Sequence, residues 1–223
     1  MTPDPRTRAR LLKAAEQHFG ARGFKKVTVR EICHAAKANV AAVNYHFGDK
    51  LGLYREVLHS AIDAMRATNQ AAREAAEGQP PEEQLRLYVG VFLHRVLRPE
   101  SEAVHRLIMR EMNDPTPALD ALVEQGVRPR VEYLSGVIAK IIQCDPRDPR
   151  VLRCVGSIQA QVVAYRPNPI AARLGLAFKP TKAQIEAAAR HVATFSIAGV
   201  RAIGRHGGQK PEPHARTKRR PPS

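Results

Sequence analysis

The sequence predicts an all-α protein: an N-terminal three-helix helix-turn-helix domain followed by a C-terminal helical bundle, about nine helices in all. Three observations predict it. Aromatic residues make up only 5% of the 223-residue chain and Trp is absent, while Ala, Leu, Val, Ile and Arg recur. That mix suits helices packed on helices better than sheets. Apolar residues also return at three- and four-residue spacing in one segment after another. Finally, Gly, Pro and capping residues punctuate those segments where helices would stop and restart, and no stretch reads as a convincing strand.

Arg6 to Gly20 reads as an amphipathic helix, with Leu12, Ala15 and Phe19 on one face and Arg8, Lys13 and Glu16 off it. Gly20 and Gly23 supply the positive φ that ends it, and Phe24 returns to the core. Thr28-Val29-Arg30-Glu31 is a capping box, which starts a short helix through Ile32 to Ala36. Lys37 and Ala38 make a tight turn, and Asn39 caps the next helix, Val40 to His46. Val43 and Phe47 lie four apart and face inward, with Val40 beside them from the first turn. That leaves Asn39, Ala41, Ala42, Asn44, Tyr45 and His46 outward. Asp49 caps a long helix from Lys50 to about Ala76.

Gly78-Gln79-Pro80-Pro81 is a stop, and Pro81 with Glu82-Glu83 opens a further helix that ends at Pro99. Ser101 to Met112 follows, with Val104, Leu107, Ile108 and Met112 inward. Ala118 to Gln143 is a long helical pattern that Pro129 should kink or end. Val151 to Tyr165 is helical, Pro167-Asn168-Pro169 closes it, and a short segment, Ile170 to Leu176, comes next. Thr181 caps Lys182 to about Arg205. The expected domains are 5–65, with a helix-turn-helix motif at 28–47, and a helical bundle at 80–206. A basic, disordered tail is expected at 207–223, and there is no internal repeat.

The net charge of +15 is concentrated at the ends. Residues 1–65 hold 11 Lys/Arg against 6 Asp/Glu (+5), residues 66–200 hold 18 against 14 (+4), and residues 201–223 hold 7 against 1 (+6). Positive ends fit DNA, but equally an anionic membrane surface, so charge does not decide the partner. The tail, Lys210 to Arg220, reads equally as an aid to non-specific DNA binding or as a solubilising terminus. No run of about 18 apolar residues exists, so no membrane span is expected. The polar, basic start carries no secretory signal, and a cytoplasmic location is expected. The odd number of cysteines, Cys33, Cys144 and Cys154, fits reduced thiols. No two histidines lie four apart and none sits near a cysteine at ligand spacing, so no metal is expected. Neither a phosphate-cradling glycine loop nor a nucleophile-elbow pattern occurs, so no cofactor and no enzymatic activity are expected.

Two short helices separated by a tight turn and held by an earlier helix form the unit that lays its second helix in the major groove. Here that second helix is short, small near its start and polar outside, which suits close approach to a groove. The stretch Leu11-Leu12-Lys13-Ala14-Ala15, Phe19, Gly23-Phe24, Thr28 to Ile32, Asn39, Asn44-Tyr45-His46-Phe47-Gly48-Asp49-Lys50 and Leu53-Tyr54 resembles the TetR-type repressor DNA-binding domain. The Asn44 to Gly48 block and the pattern Met109-Arg110-Glu111-Met112 with Pro115-Thr116-Pro117-Ala118-Leu119 resemble its CecR-like branch. One departure is Lys37, where the family often has Gly or Asn. Either Lys37 holds a left-handed conformation at a cost of about 1 kcal/mol, or the turn differs in shape.

The resemblance implies roles for individual residues. Thr28 and Arg30 would touch phosphate or sugar. Asn39, Ala41, Ala42 and Asn44 would face base edges, Asn pairing with adenine and Ala meeting the thymine methyl. Tyr45, His46 and Lys50 would hold flanking phosphates. For Asn39 the plain alternative is a helix cap, for Tyr45 a packing residue, and for His46, Arg30 and Lys50 simple solvation. In the second half Tyr88, Phe92, His94, His105, Met109, Met112, Tyr133, Gln159 and Tyr165 are candidates to line an effector pocket, although residues at such spacing in a bundle are core more often than pocket.

The function expected is a homodimeric transcriptional repressor on double-stranded DNA, released from a pseudo-palindromic operator by a small-molecule effector. The resemblance places the dimer interface on Val151 to Tyr165 and Lys182 to Arg205, where Ala187, Ala188, Ala198 and Gly199 would allow close packing. An architectural DNA binder without effector is the alternative, and a small-molecule enzyme or carrier is the rival from another class.

Overall fold

The computed structural model describes residues 4–99, 101–175, 178 and 181–206, and the basic tail at 207–223 lies outside the described residues. Helix α1 spans Pro5–Arg22 and starts where Asp4 Oδ1 accepts from the Arg6 amide at 2.9 Å. Leu11, Ala15 and Phe19, each four apart, form its buried ladder. Leu12 is only partly buried, because it sits one residue, about 100°, around the helix from that ladder. The expected face is therefore centred one residue earlier than its sequence pattern indicated.

Helix α2 (Val29–Ala36) begins with the full capping box, and α3 (Val40–Phe47) begins at Asn39. Between them Lys37 adopts φ 49°, ψ 50°, the left-handed conformation. The Ala38 amide donates to the Cys33 carbonyl at 2.9 Å and the Lys37 amide to His34 at 3.2 Å, closing the turn around that residue. Of the two expectations for Lys37, strain in an ordinary turn is the one observed. Gly48 follows α3 at φ 79°, a conformation that a β-carbon opposes.

Helix α4 (Lys50–Ala75) is capped by Asp49, whose Oδ1 accepts from the Gly52 amide at 2.7 Å. It runs through the expected domain boundary. Leu53, Tyr54, Val57 and Leu58 belong to the N-terminal core with Phe19, Ile32 and Val43, whereas Ala72 belongs to the bundle core. Helices α5 (Pro81–Val96) and α6 (Ser101–Asn113) follow. Leu107 of α6 and Ala118 pack into the N-terminal core, so the N-terminal unit does not close over its apolar surface without them.

The pattern expected as one helix from Ala118 to Gln143 is three pieces: α7 (Leu119–Leu122), a π-helical turn (Val123–Val127) and α8 (Arg128–Ile142). Proline lacks an N–H, and its ring collides with the carbonyl four residues back. The wider turn just ahead of Pro129, in which the Arg128 amide reaches the Val123 carbonyl, takes up that misfit without a sharp break. Helices α9 (Pro149–Ala164), α10 (Pro169–Arg173) and α11 (Lys182–His206) complete the described residues. Leu85, Val89 and Leu93 of α5, Leu134 and Ile138 of α8, Val155 and Ile158 of α9, and Val192 and Ile197 of α11 form the bundle core. Arg201 holds Glu82 through two contacts of 2.5 Å, tying α11 to the acidic first turn of α5.

Candidate DNA interface and the cavity behind it

Helix α3 is anchored from below by Val43, which is fully buried. Asn39, Ala41, Asn44 and Tyr45 are exposed on its other side, with Tyr45 at 66% exposure. Its ring meets His46 edge-on at 5.2 Å, so the two rings brace each other. Asn39 Oδ1 is committed to the cap, accepting from the Ala41 amide at 3.0 Å, and only its NH2 remains to meet a base. Ala42 corrects its expected place: it is half-buried against the N-terminal core, because it lies next to Val43 on the inner flank. Val40, expected beside the inward residues, is 38% exposed.

At the edge of this surface the Thr28 amide and hydroxyl both donate to Glu31 Oε2, at 2.7 and 2.8 Å, which spends the hydroxyl hydrogen inside the protein. Those bonds and Arg22 Nη1 at 2.6 Å hold the Glu31 carboxyl at about 2, so near neutral pH it is charged and paired with Arg22. Arg30 is exposed beside it. Lys50 lies half-buried with its Nζ 4.4 Å from the centre of the Phe24 ring. Burial pushes its ammonium down, and the nearby Glu31 charge opposes that. Arg8 caps Phe47 from α1 and pairs with Glu56 of α4. The first turn of α4 fits against the end of α3 so closely that a β-carbon on Gly52 would lie 1.9 Å from the Phe47 carbonyl oxygen. The attitude of the exposed helix is therefore fixed by backbone contact with α4.

Behind this unit lies a cavity of about 370 Å³ between α4, α5, α6, α8 and α9. Five of the expected pocket residues line it: Phe92, His105, Met109, Met112 and Gln159. Three do not. Tyr88 is buried behind the wall, stacked on Phe92 at 4.4 Å and accepting from Gln159 Nε2 at 3.2 Å. Tyr133 lies beneath the Arg73 guanidinium, and Tyr165 packs edge-on against Phe178. Each is drawn away by an aromatic or cationic neighbour that helical spacing does not reveal. Met112, expected inward, is 68% exposed and sits on the rim.

The wall also holds polar residues that the sequence reading passed over: Thr68 and Asn69 of α4, Arg95 of α5, Arg130 of α8 and Arg166. Arg166 is spent on structure, donating to the Val96 carbonyl at 2.7 Å and pairing with Glu102. Burial, and then the Arg166 charge, push the His105 imidazole down, with Glu102 opposing. It therefore stays neutral at neutral pH. Arg130 had a legible signal, since it shares a helix face with Leu134 and Val137, and a charge on an apolar face calls for a partner.

An exposed helix of this kind, joined by one continuous helix to a bundle that encloses a cavity, defines a helix-turn-helix transcriptional regulator. Residues 11–57 match the family described as bacterial regulatory proteins, tetR family, and residues 81–200 match the C-terminal domain of the HTH-type transcriptional dual regulator CecR. The chain belongs to the TetR family, with a C-terminal domain of the CecR type. It is a transcriptional regulator and not an enzyme. It is 27% identical over 165 residues to the HTH-type transcriptional dual regulator CecR of Shigella flexneri, covering 70% of this chain and 74% of that protein. The fold is shared with a TetR-like transcriptional regulator from Rhodococcus sp. RHA1, at TM-score 0.63 and 17% identity over 90% of this chain and 98% of that one. It is shared too with the TetR family transcriptional regulator PfmR of Thermus thermophilus, at TM-score 0.60 and 18% identity over 85% and 97%.

Proposed function

We propose that this protein binds a pseudo-palindromic operator in the cytoplasm as a homodimer, represses from it, and leaves it when a small molecule fills the cavity. The observation that carries the reading is the double duty of α4 and α6. Helix α4 begins at Lys50 beside the exposed α3 and, further along, places Met65, Thr68 and Asn69 in the cavity wall. Helix α6 gives Val104, His105 and Ile108 to the cavity and Leu107 to the DNA-binding core. A ligand that favours one setting of these helices over another changes the spacing of the two α3 helices in a dimer, and differential affinity for the two settings is all that release requires.

Two-fold symmetry is favoured because one short helix reads only about four or five base pairs. The surface offered for pairing is apolar: Leu152 of α9 is 50% exposed and Phe195 of α11 is 63% exposed, with the small Gly156 and Ala198 also facing out. Ala188, expected in that contact, is buried in the chain's own core and takes no part.

Selection of bound sequences from random DNA by the full-length protein, with sedimentation of the free protein, tests the reading. The expected outcome is a dimer at micromolar protein and a two-fold symmetric site whose half-sites are separated by about one helical turn or slightly more. Monomers on an asymmetric site, or binding indifferent to sequence, would overturn it.

A further inference from the structure

The cavity has a chemical sign. Among the described residues its wall contains Arg95, Arg130 and Arg166 and no Asp or Glu. Arg166 is answered by Glu102. Arg130 is not: its guanidinium lies 5.6 Å from the centre of the Phe92 ring, its Nε is buried without a hydrogen-bond partner, and it makes no ion pair among the described residues. A second orphan faces the same space from the opposite helix, for the Nδ2 of Asn69 on α4 is also buried without a partner. Both orphans are donors. Buried donors that find no acceptor in the protein are costly to leave unmet, and a guanidinium is built to receive a carboxylate through two parallel bonds. Around them Phe92, Val104, Ile108 and Val163 make the rest of the wall apolar.

Resting on the reading that this cavity takes the effector, we propose that the effector is a small organic anion, an apolar body with one acidic head that docks on Arg130 and Asn69. The head joins α8 to α4, the helix that also sets the position of α3. The apolar body fills the space toward Met109 and Met112 at the rim, whose flexible side chains adapt to its shape. A volume of about 370 Å³ admits one such molecule and lies at the small end of ligand pockets.

Calorimetric titration of the full-length protein with octanoate and 4-phenylbutanoate, each beside the alcohol and the amine of the same skeleton, tests this. At least one acid should bind about tenfold tighter than its alcohol, and the amine weakest of the three. Arg130→Met should bring the acid-to-alcohol ratio to about one, Arg130→Lys should restore part of it, and Arg95→Met should leave it. Asn69→Leu provides an independent check, lowering acid affinity several-fold with alcohol affinity held. Acids that bind no tighter than their alcohols, or a preference that survives Arg130→Met, overturn the proposal. Operator affinity measured in the same samples separates the two readings. Acids that bind with the stated preference but leave DNA binding unchanged support the anion site and defeat the release reading. An alcohol or amine that binds best and releases DNA does the opposite.

Discussion

Tyr54 of α4 donates its phenolic hydrogen to the carboxylate of Glu111 on α6, and Glu111 has no exposed surface at all. The same carboxylate accepts from the Thr116 amide at 3.1 Å and the Thr116 hydroxyl at 3.0 Å. Burial first, and the carboxylate second, push the Tyr54 hydroxyl well above its usual range, so it remains a donor throughout physiological pH. One buried hydrogen bond thus joins the helix that carries the DNA-binding unit to the helix that walls the cavity. Arg110 reinforces the joint by donating to the Gly20 and Ala21 carbonyls at the end of α1, and Lys25 pairs with Asp114 across it.

Breaking this joint should cost stability in a graded way. Tyr54→Phe removes one donor from a buried carboxylate that keeps its Thr116 bonds, for a loss of about 1–3 kcal/mol. Glu111→Ala strands the Tyr54 hydroxyl, leaves Thr116 without its acceptor and opens a void, and should cost more, about 3 kcal/mol or above. Urea denaturation of both variants checks the order, and equal midpoints would show that the carboxylate is not held as described.

Gly52 should tolerate no side chain. The 1.9 Å approach of a β-carbon to the Phe47 carbonyl is a backbone collision, which only a shift of α4 against α3 relieves. Gly52→Ala is expected to destabilise the N-terminal domain by about 2 kcal/mol or more and to weaken operator binding further than the lost stability explains. Thermal unfolding with operator titration reads both, and a variant that melts and binds like the parent would refute the contact.

Lys37 offers a gain. A non-glycine residue at φ 49° is disfavoured, and glycine at the same place is not. Lys37→Gly should raise stability by about 0.5–1 kcal/mol, the relief being partly offset by a freer unfolded chain. A denaturation midpoint at or below the parent's would argue against strain in the turn.

The capping box makes stability depend on acid. Glu31 is held at about 2 in the folded protein against 4.5 for the free side chain, first by the Thr28 amide and then by Arg22. A folded value below the unfolded one means that the contribution is complete above about 4.5 and fades as pH falls toward 2. Glu31→Gln should therefore melt below the parent at pH 7, with the two curves converging by about pH 2. A constant difference across that window would remove Glu31 as its source.

At the candidate DNA surface, the proposed roles divide by what each residue would meet. Tyr45→Ala and Lys50→Ala should each weaken binding to all sequences alike, because phosphate contacts carry no sequence information. Asn44→Ala should cost about 1–3 kcal/mol on the preferred site and relax selectivity at one position. Anisotropy titrations at fixed salt on the preferred site and on single-base variants separate the two patterns. An unchanged operator affinity for Tyr45→Ala would show the docking of α3 to be misassigned.

Most helix starts were legible because capping is local. Thr28 with Glu31, Asn39 with Ala41 and Asp49 with Gly52 each close within three residues, so the chain announces them wherever it folds. The inward Val43 followed from periodicity in the same way. What escaped was set by the neighbour across the gap. Ala42 turned inward and Tyr88, Tyr133 and Tyr165 left the cavity because of what packs against them, and period 3.6 cannot tell one apolar face from the next.

The sequence by itself determined that this chain is helical, where most of its helices begin, and that residues 11–57 carry the mark of the TetR family, because hydrogen bonds within a few residues and a short motif suffice for all three. The tertiary structure decided that Glu111 and Tyr54 meet, that Gly52 lies against Phe47, and that Asn69 and Arg130 face one cavity with their donors unmet. Those relationships join helices far apart in the chain. Their energy comes from burial and from partners brought together only by packing, and such partners leave no local mark in the sequence.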